Sequence, residues 1–213
     1  SGTDCRPVAV QRLPASDSVT SASRIREWLY AGERDSVRDY VPGNVRQTMQ
    51  TEPVTTPARF CDYLHVYFRF FAPDTTPCLR EAAGGVYERL RKSAYAAASG
   101  TAFLENAACK KYTNARLRRA ALFCATGVTD AILSDQPRYV PLLAANQKGC
   151  AWLGGQKKTT GLSILTKPAD SSHLPTAAQV QLDCLHRADD LYAYLMGKDS
   201  GYFLRASPYI ERA

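Results

Sequence analysis

The most pointed chemical signal in the sequence is a hydroxyl-rich segment, Ser21-x-Ser23-x-Ile25-Arg26. Hydroxyls at a helix start lie beside free backbone N–H groups and the positive end of the helix dipole, a combination that favours an anion. Arg26, about one turn into the helix, could add a bidentate guanidinium contact. The segment predicts a nucleotide-phosphate contact through Ser21, Ser23 and Arg26, although an ordinary serine cap on an amphipathic helix has the same spacing.

A second signal is the basic stretch over residues 80–119. It holds nine of the 27 basic residues but only three of the 20 acidic ones, which places +6 of the net charge of +7 in forty residues. Such a local excess favours a polyanionic partner, above all nucleic acid, and an aromatic beside it could stack on a base. A solvated helix surface would look the same. The candidate RNA-binding residues here are Arg89, Arg91, Lys92, Lys110, Lys111, Tyr112, Arg116, Arg118 and Arg119.

Lys167 adds a third, weaker signal, because it directly follows a predicted strand over 162–166. Functional groups are often found where the strands of α/β units end. We therefore include Lys167 among the candidate RNA-binding residues.

The seven cysteines and three histidines form no pattern typical of catalysis or metal binding. No two cysteines have C-x-x-C spacing, and no histidine has an adjacent acid or cysteine that indicates a triad. The sequence thus predicts neither a catalytic residue nor a metal ligand. Scattered cysteines in odd number also argue against a secreted disulfide framework, so we expect a cytoplasmic location.

The composition is typical of a soluble globular chain, with 45% hydrophobic and 22% charged residues among 213. It excludes a wholly disordered protein, and no apolar run approaches the ~20 residues of a membrane span, so we expect no membrane partner. The chain begins with Ser-Gly-Thr instead of Met, from which we expect a cut or processed piece. The oligomeric state stays open.

Hydrophobic spacing predicts the elements that position these residues. A helix begins at Ser21 or Ser23 and a short helix follows over 35–41. The Thr/Pro stretch over 51–57 is the expected boundary between a domain over 1–50 and one over 51–213. Beyond it, an aromatic stripe at helical spacing is interpreted as core; its members are Phe60, Leu64, Tyr67, Phe68 and Phe71.

Further along, Thr113 is a good N-cap for a helix over 114–125. Strands over 139–144 and 162–166, with a helix over 148–153 between them, predict a small parallel βαβ element. A last helix is expected over 176–196. The predicted fold class is α+β and predominantly helical.

The order of these segments resembles that of a known family, the bacterial tRNA(Met) cytidine acetate ligases of the HIGH-type nucleotidyltransferase superfamily. The segment from Thr20 to Arg26 is similar to the S-x-T-x-I-R signature that closes the nucleotide-binding domain of HIGH-type enzymes. Residues 111–119 are similar to the family's K-R-Y-T-x-x-R-L/I-x-R stretch, and residues 138–149 to its Y-I-R-x-L-G…K-G segment. Residues 165–167 resemble its strand that ends in (T/S)-K, and residues 183–192 its D-x-x-A-x-D/R-I-Y helix.

The resemblance implies an enzyme that uses ATP to activate acetate as acetyl-adenylate and then acetylates N4 of the wobble cytidine of tRNA(Met). ATP would be the cofactor, with Mg²⁺ as an accompanying ion, and tRNA the partner. Residues 1–50 would be the tail of the α/β nucleotidyltransferase domain, and 51–213 a mainly helical tRNA-binding domain.

The sequence departs from this family in one important respect, because it contains no H-x-G-H motif and no histidine before His65. We therefore expect the C-terminal part of such an enzyme, inactive alone, with ATP and acetate bound through a missing N-terminal half. Ser21, Ser23 and Arg26 would line one wall of the ATP site. The alternative is a stand-alone, non-enzymatic RNA-binding module of the same ancestry.

Overall fold

A computed structural model gives the fold of the chain and describes residue 8 and residues 20–156 and 159–211. The chain divides into two compact units between Thr56 and Pro57. This division falls inside the Thr/Pro stretch, whose backbone is poorly suited to continue a helix. Which function each unit has stays a prediction.

The first unit begins with helix α1 (Ala22–Ala31). Ser21 is its N-cap, since the Ser21 hydroxyl accepts a hydrogen bond from the Arg24 N–H at 3.2 Å. Gly32 ends the helix in the left-handed region, with φ of 80°, where glycine has no steric penalty. The start and the end of α1 are thus both set by local residue types.

The rest of this unit is a 3-10 helix (Arg34–Tyr40) and helix α2 (Gly43–Thr51). The first takes the place of the predicted short helix over 35–41. Helix α2 is not among the predicted elements, and Pro42 is its N-cap. Trp28 stacks on Tyr40 with ring centroids 5.4 Å apart, which holds α1 against the 3-10 helix.

The second unit is mostly helical. Its α-helices are α3 (Pro57–Val66), α4 (Val86–Ala96), α5 (Gly100–Ala107), α6 (Asn114–Thr126), α7 (Asp130–Ser134), α8 (Gln147–Gln156) and α9 (Thr176–Leu195). A π-helical turn (Tyr67–Phe71) follows α3, and 3-10 turns cover Arg80–Ala82 and Pro168–His173. The α-helices predicted over 114–125, 148–153 and 176–196 are confirmed.

Helices α3, α4, α5 and α6 enclose the main core. Leu64, Tyr87, Leu90 and Phe103 are almost completely buried there, and each stabilises the fold by about 1.5–3 kcal/mol relative to an exposed side chain. Gly100 allows α5 to approach α3, because a Cβ at this position would lie 2.2 Å from the Asp62 backbone nitrogen. Residue size at the start of α5 therefore decides how closely these two helices pack.

The aromatic stripe, which runs from α3 into the π-helical turn, lies only partly in the core. Leu64 and Phe68 are buried and Phe60 and Tyr67 pack against the core, as predicted. The expectation for Phe71 is wrong, since this residue is 71% exposed. The π-helical turn widens the helix to more than 3.6 residues per turn, and this rotates Phe71 away from the buried face.

Two short parallel strand pairs complete the second unit. Strand β1 (Tyr139–Pro141) pairs with β3 (Ser163–Leu165), with Val140 opposite Ile164; this confirms the predicted parallel element around α8. Strand β2 (Ala144–Ala145) pairs with β4 (Tyr209–Ile210). Both strands of the predicted element are shorter than expected, and β1 ends at Pro141, which has no N–H to donate. No helix in the described ranges is long and apolar enough to cross a membrane.

Candidate functional site

The start of α1 presents free hydrogen-bond donors to solvent. The Ser21 hydroxyl accepts from the Arg24 N–H, and the Ser21 carbonyl accepts from the Ile25 N–H at 3.1 Å. The N–H groups of Ala22 and Ser23 are left without an acceptor among the described residues, as expected for a first helical turn. The Ser21 hydroxyl is still able to donate its own hydrogen to a ligand.

The two arginines of α1 differ in what they contact. Arg24 pairs with Glu27 at 3.1 Å and lies over the Trp28 ring, 5.0 Å from its centroid. Arg26 is exposed and contacts no acidic side chain in the described part of the chain. Ser23 and Arg26 are three residues apart and therefore share a face of the helix. Free donors of this kind are suited to an anion such as a phosphate group. The ATP contact of Ser21, Ser23 and Arg26 stays a prediction.

The candidate RNA-binding residues fall into two groups, those that hold the fold and those that face solvent. Arg116 belongs to the first group: its guanidinium donates to the backbone carbonyls of Arg80 (3.2 Å), Glu81 (3.3 Å) and Ala83 (3.1 Å). It thereby fixes the 3-10 turn before α4 against α6. Arg119 forms an ion pair with the Glu81 carboxylate at 3.2 Å.

Arg89 and Arg91 are also engaged within the fold. Arg89 donates to the carbonyls at the end of α5, including that of Ala108 at 3.0 Å, and so closes the C-terminus of that helix. Arg91 pairs with Asp74 at 2.6 Å. The hydrogen bond that Arg91 donates to the Asp74 carboxylate raises the pKa of Arg91 above its ordinary value. Neither guanidinium is free to bind a phosphate without giving up an internal partner.

Tyr112 lies in the core, not on the surface. Its ring is 7% exposed and its hydroxyl donates to the Gly84 carbonyl. Lys111 and Arg116 lie near the ring, at 5.1 Å and 5.5 Å from its centroid. This geometry gives no support to the predicted stacking of Tyr112 on a base, because the ring is covered by the fold.

The remaining cations face solvent. Lys92, Lys110, Arg118 and Lys167 are exposed, and none forms an ion pair within the described ranges. Arg118 lies on the opposite flank of α6 from Arg116, as the helical spacing predicts, and borders a cavity of about 220 Å³ with Cys61 and Leu104. Exposed, unpaired cations of this kind are free to contact a phosphate backbone.

A second cavity contains the predicted Lys167 together with two polar residues, His186 and Asp189, that no sequence motif singles out. This cavity of about 320 Å³ lies beside the ends of β1 and β3, and its lining includes Lys167, His186 and Asp189. Burial raises the pKa of Asp189 above its ordinary value, an effect that His186 partly opposes. The spacing of His186 and Asp189, three residues apart on α9, could have indicated that the two share a face.

No group of three or more His, Cys, Asp or Glu residues that could hold a metal ion occurs in the described ranges. Cys124 is buried in α6, and burial raises the pKa of its thiol to about 12. A thiol of this kind is a packing residue rather than a nucleophile. Cys5 lies outside the described residues.

Comparison with known sequences adds direct information about ancestry. A family model described as HIGH Nucleotidyl Transferase matches residues 8–202. The tRNA(Met) cytidine acetate ligase of Anoxybacillus flavithermus is 31% identical over 175 residues, which cover 78% of this chain and 43% of that protein. The ligase of the same name from a Geobacillus species is 28% identical over 173 residues, covering 76% and 43%. The chain spans less than half the length of these relatives.

Solved structures show the same fold. Thermotoga maritima TmcAL bound with alpha-thio ATP matches with a TM-score of 0.81 at 22% identity, covering 93% of this chain and 53% of that chain. The apo form of that protein matches with a TM-score of 0.79 at 22% identity, covering 94% and 52%.

The extent of the family match corrects one expectation. It runs over nearly the whole chain, so the idea that the chain corresponds only to the C-terminal part of a family member is not supported. The match covers far more than half of the chain, and curated homologues are tRNA(Met) cytidine acetate ligases. The chain therefore belongs to the HIGH nucleotidyl transferase family.

Proposed function

We propose that the chain takes part in the ATP-dependent acetylation of a tRNA cytidine with acetate as the acyl source. The observation that carries this proposal is its homology to tRNA(Met) cytidine acetate ligases, together with free anion donors at the start of α1. In this reaction the acetate carboxylate would attack the α-phosphate of ATP and release pyrophosphate. The exocyclic amine of the cytidine would then take the acetyl group from the acetyl-adenylate, lose a proton and release AMP. The proposed location is the cytoplasm.

The start of α1 would bind the phosphates of ATP. Free N–H groups and the hydroxyl of Ser23 offer neutral donors, and Arg26 offers a charged one on the same helix face. Mg²⁺ would accompany ATP through the phosphate oxygens. Arg24 is not expected to contribute, because Glu27 already neutralises it at 3.1 Å.

The solvent-facing cations of the second unit would bind the tRNA backbone. Lys92, Lys110, Arg118 and Lys167 are exposed and have no acidic partner to displace, so each can neutralise a phosphate at little cost to the fold. Lys111 is also exposed and can add to these contacts, whereas Arg119 would have to give up its ion pair with Glu81. Arg89, Arg91 and Arg116 would act indirectly, by holding the helices that carry the exposed cations.

The two units would have different roles in this reaction. The first would contribute one wall of an ATP site at the end of a nucleotidyltransferase domain, and the second would supply tRNA contacts. The sequence has no H-x-G-H motif, and we therefore propose that the 213-residue chain does not activate acetate by itself.

A chimeric enzyme tests this function. The 175 residues of the Anoxybacillus flavithermus ligase that align with this chain are replaced by their counterparts, and acetate- and ATP-dependent acetylation of tRNA is measured. An active chimera that loses activity with Arg26→Ala supports the proposal. A folded chimera that binds tRNA but never acetylates it would favour the non-enzymatic alternative.

The isolated chain provides the complementary test. We expect it to bind tRNA but to show no acetate-dependent exchange of pyrophosphate into ATP. Exchange catalysed by the chain alone would contradict the proposal that it is inactive by itself.

A further inference from the structure

The cavity beside β1 and β3 has walls from four separate parts of the second unit. Leu142 and Leu165 come from the ends of the two strands, Leu182 and Leu185 from α9, and Phe203 from the segment after α9. Its volume of about 320 Å³ is at the lower end of the range of small-molecule sites, which are largely apolar with a few placed polar groups.

The segment after α9 is anchored, so its wall of the cavity is well defined. Phe203 stacks on Tyr192 of α9 with ring centroids 5.8 Å apart. The Asp190 carboxylate accepts hydrogen bonds from the Gly201 N–H at 2.6 Å and from the Ser200 hydroxyl at 2.9 Å. These contacts lower the pKa of Asp190 and give it a clear structural role.

The neighbouring carboxylate, Asp189, has no such role. It faces the cavity, and no described residue donates a hydrogen bond to it. Burial is the largest influence on its pKa, which is raised. His186 lies one helical turn before it, on the same wall. A partly buried carboxylate without a donor is an acceptor available to a ligand.

Lys167 is held at this cavity by the turn that follows β3. The Asp170 carboxylate accepts from the Thr166 N–H at 2.8 Å and from the Lys167 N–H at 3.1 Å. These hydrogen bonds, above all those from Thr166, keep the pKa of Asp170 below its ordinary value. The turn is therefore fixed, and the exposed Lys167 side chain adds a cation beside an apolar pocket.

The geometry points to a pocket for an unstacked RNA base that carries an exocyclic amino group. Leu142, Leu185 and Phe203 would cover the faces of the base, because extruded bases are commonly held between apolar or aromatic side chains. Asp189 would accept a hydrogen bond from the amine. His186 would form a hydrogen bond with the ring nitrogen next to the carbon that carries the amine. Lys167 would contact the adjoining phosphate. This inference rests on the proposed function and assigns one of its RNA contacts.

Selectivity follows from the same chemistry. Uracil has a carbonyl oxygen where cytosine has the amine. In the same pose this places an acceptor opposite the Asp189 carboxylate instead of a donor, which is costlier than losing a hydrogen bond in water. We therefore expect cytidine and adenosine monophosphates to bind about tenfold more tightly than uridine monophosphate.

Nuclear magnetic resonance titrations of the isotope-labelled 213-residue chain with these three mononucleotides test the pocket. A tRNA titration then shows whether the same residues respond when the base is part of RNA. Shifts at α9 and at 165–168 with the expected selectivity support the inference. Equal affinity for the three mononucleotides, or shifts confined to other regions, would overturn it.

Matched variants make the test specific. Asp189→Ala should abolish the preference over uridine monophosphate, whereas Asp183→Ala, at an exposed position of the same helix, should preserve it. Leu185→Trp should fill the cavity and weaken binding of all three nucleotides. Thermal unfolding of each variant separates loss of binding from loss of the fold. A preference that survives Asp189→Ala in a folded protein contradicts the role given to this carboxylate.

Failure of the pocket inference can be distinguished from failure of the proposed function. If tRNA binding depends on Lys110 and Arg118 but is unaffected by Asp189→Ala and Leu185→Trp, the pocket inference is wrong and the proposed function stands. If the chain binds no tRNA, the proposed function fails whatever the mononucleotides do.

Discussion

The Arg116 guanidinium contacts both the backbone carbonyl and the side-chain carboxylate of Glu81. The Arg116 Nε lies 3.3 Å from the Glu81 carbonyl oxygen and 3.7 Å from its carboxylate, while Nη2 binds the carbonyls of Arg80 and Ala83. One guanidinium thus joins α6 to the turn that precedes α4. Helix α6 thus uses one of its arginines to hold the fold.

Arg116→Ala is therefore expected to destabilise the protein by about 1–3 kcal/mol, since it removes charge-assisted hydrogen bonds to three carbonyls. Urea unfolding measures this change. Lys92→Ala, which removes an exposed cation of α4, should change stability by no more than about 0.5 kcal/mol. Similar small effects for both variants would show that Arg116 has no structural role.

The two arginines of α1 provide a test of ATP binding. Arg26→Ala should weaken ATP binding about tenfold, the effect of losing one charge-assisted hydrogen bond to a phosphate. Arg24→Ala is the matched control, because Arg24 already pairs with Glu27. Chemical-shift titration of the chain with ATP measures both variants. Equal weakening by the two substitutions would show that Arg26 does not contact the phosphates of ATP.

Asp189 should make stability depend on pH in a defined direction. Its folded pKa is raised above the ordinary value of 3.8, so between these two values the folded state binds more protons than the unfolded state. The contribution of Asp189 to stability therefore falls as the pH rises through this window. Asp189→Asn should be more stable than the wild type at pH 7, and the advantage should vanish below about pH 4.

Parallel urea unfolding of both proteins from pH 3 to pH 7 measures the difference. Asp183→Asn, with an exposed carboxylate, should track the wild type throughout. A wild type that is the more stable protein at pH 7 would mean that Asp189 has a stabilising partner.

The cysteines should differ sharply in reactivity. Burial raises the pKa of Cys124 to about 12, whereas Cys78 and Cys150 are exposed. A thiol reagent at pH 8 should modify Cys78 and Cys150 in the native protein and reach Cys124 only after unfolding, because the thiolate is the reactive species. Peptide mass spectrometry identifies the modified residues. Rapid native labelling of Cys124 would indicate local opening of α6.

Local signals allowed much of the fold to be predicted. Ser21 and Thr113 cap α1 and α6 through their own hydroxyls, and such caps depend on residues only three positions apart. The parallel pairing of β1 with β3 followed from two apolar strands on either side of a helix. These features need no knowledge of distant parts of the chain.

Features that depend on distant contacts could not be predicted in the same way. The cations next to Tyr112 in the sequence favour a surface aromatic, but its hydroxyl donates to the Gly84 carbonyl, 28 positions away. Glu81 meets Arg116 and Arg119 only after α6 packs on the turn before α4. Likewise, Asp189 and Lys167 face one cavity only because α9 packs beside the ends of β1 and β3.

The salt dependence of tRNA binding tests the central claim most directly. Each lysine or arginine that contacts a phosphate contributes about 0.7–0.9 to the slope of log K against log salt concentration. Lys110→Gln combined with Arg118→Gln should weaken tRNA binding by the 213-residue chain and make this slope shallower by about 1.5. Arg38→Gln combined with Lys148→Gln removes the same charge at exposed positions elsewhere and should leave the slope unchanged. Equal slopes for the wild type and both double variants would contradict a tRNA-binding role for these cations.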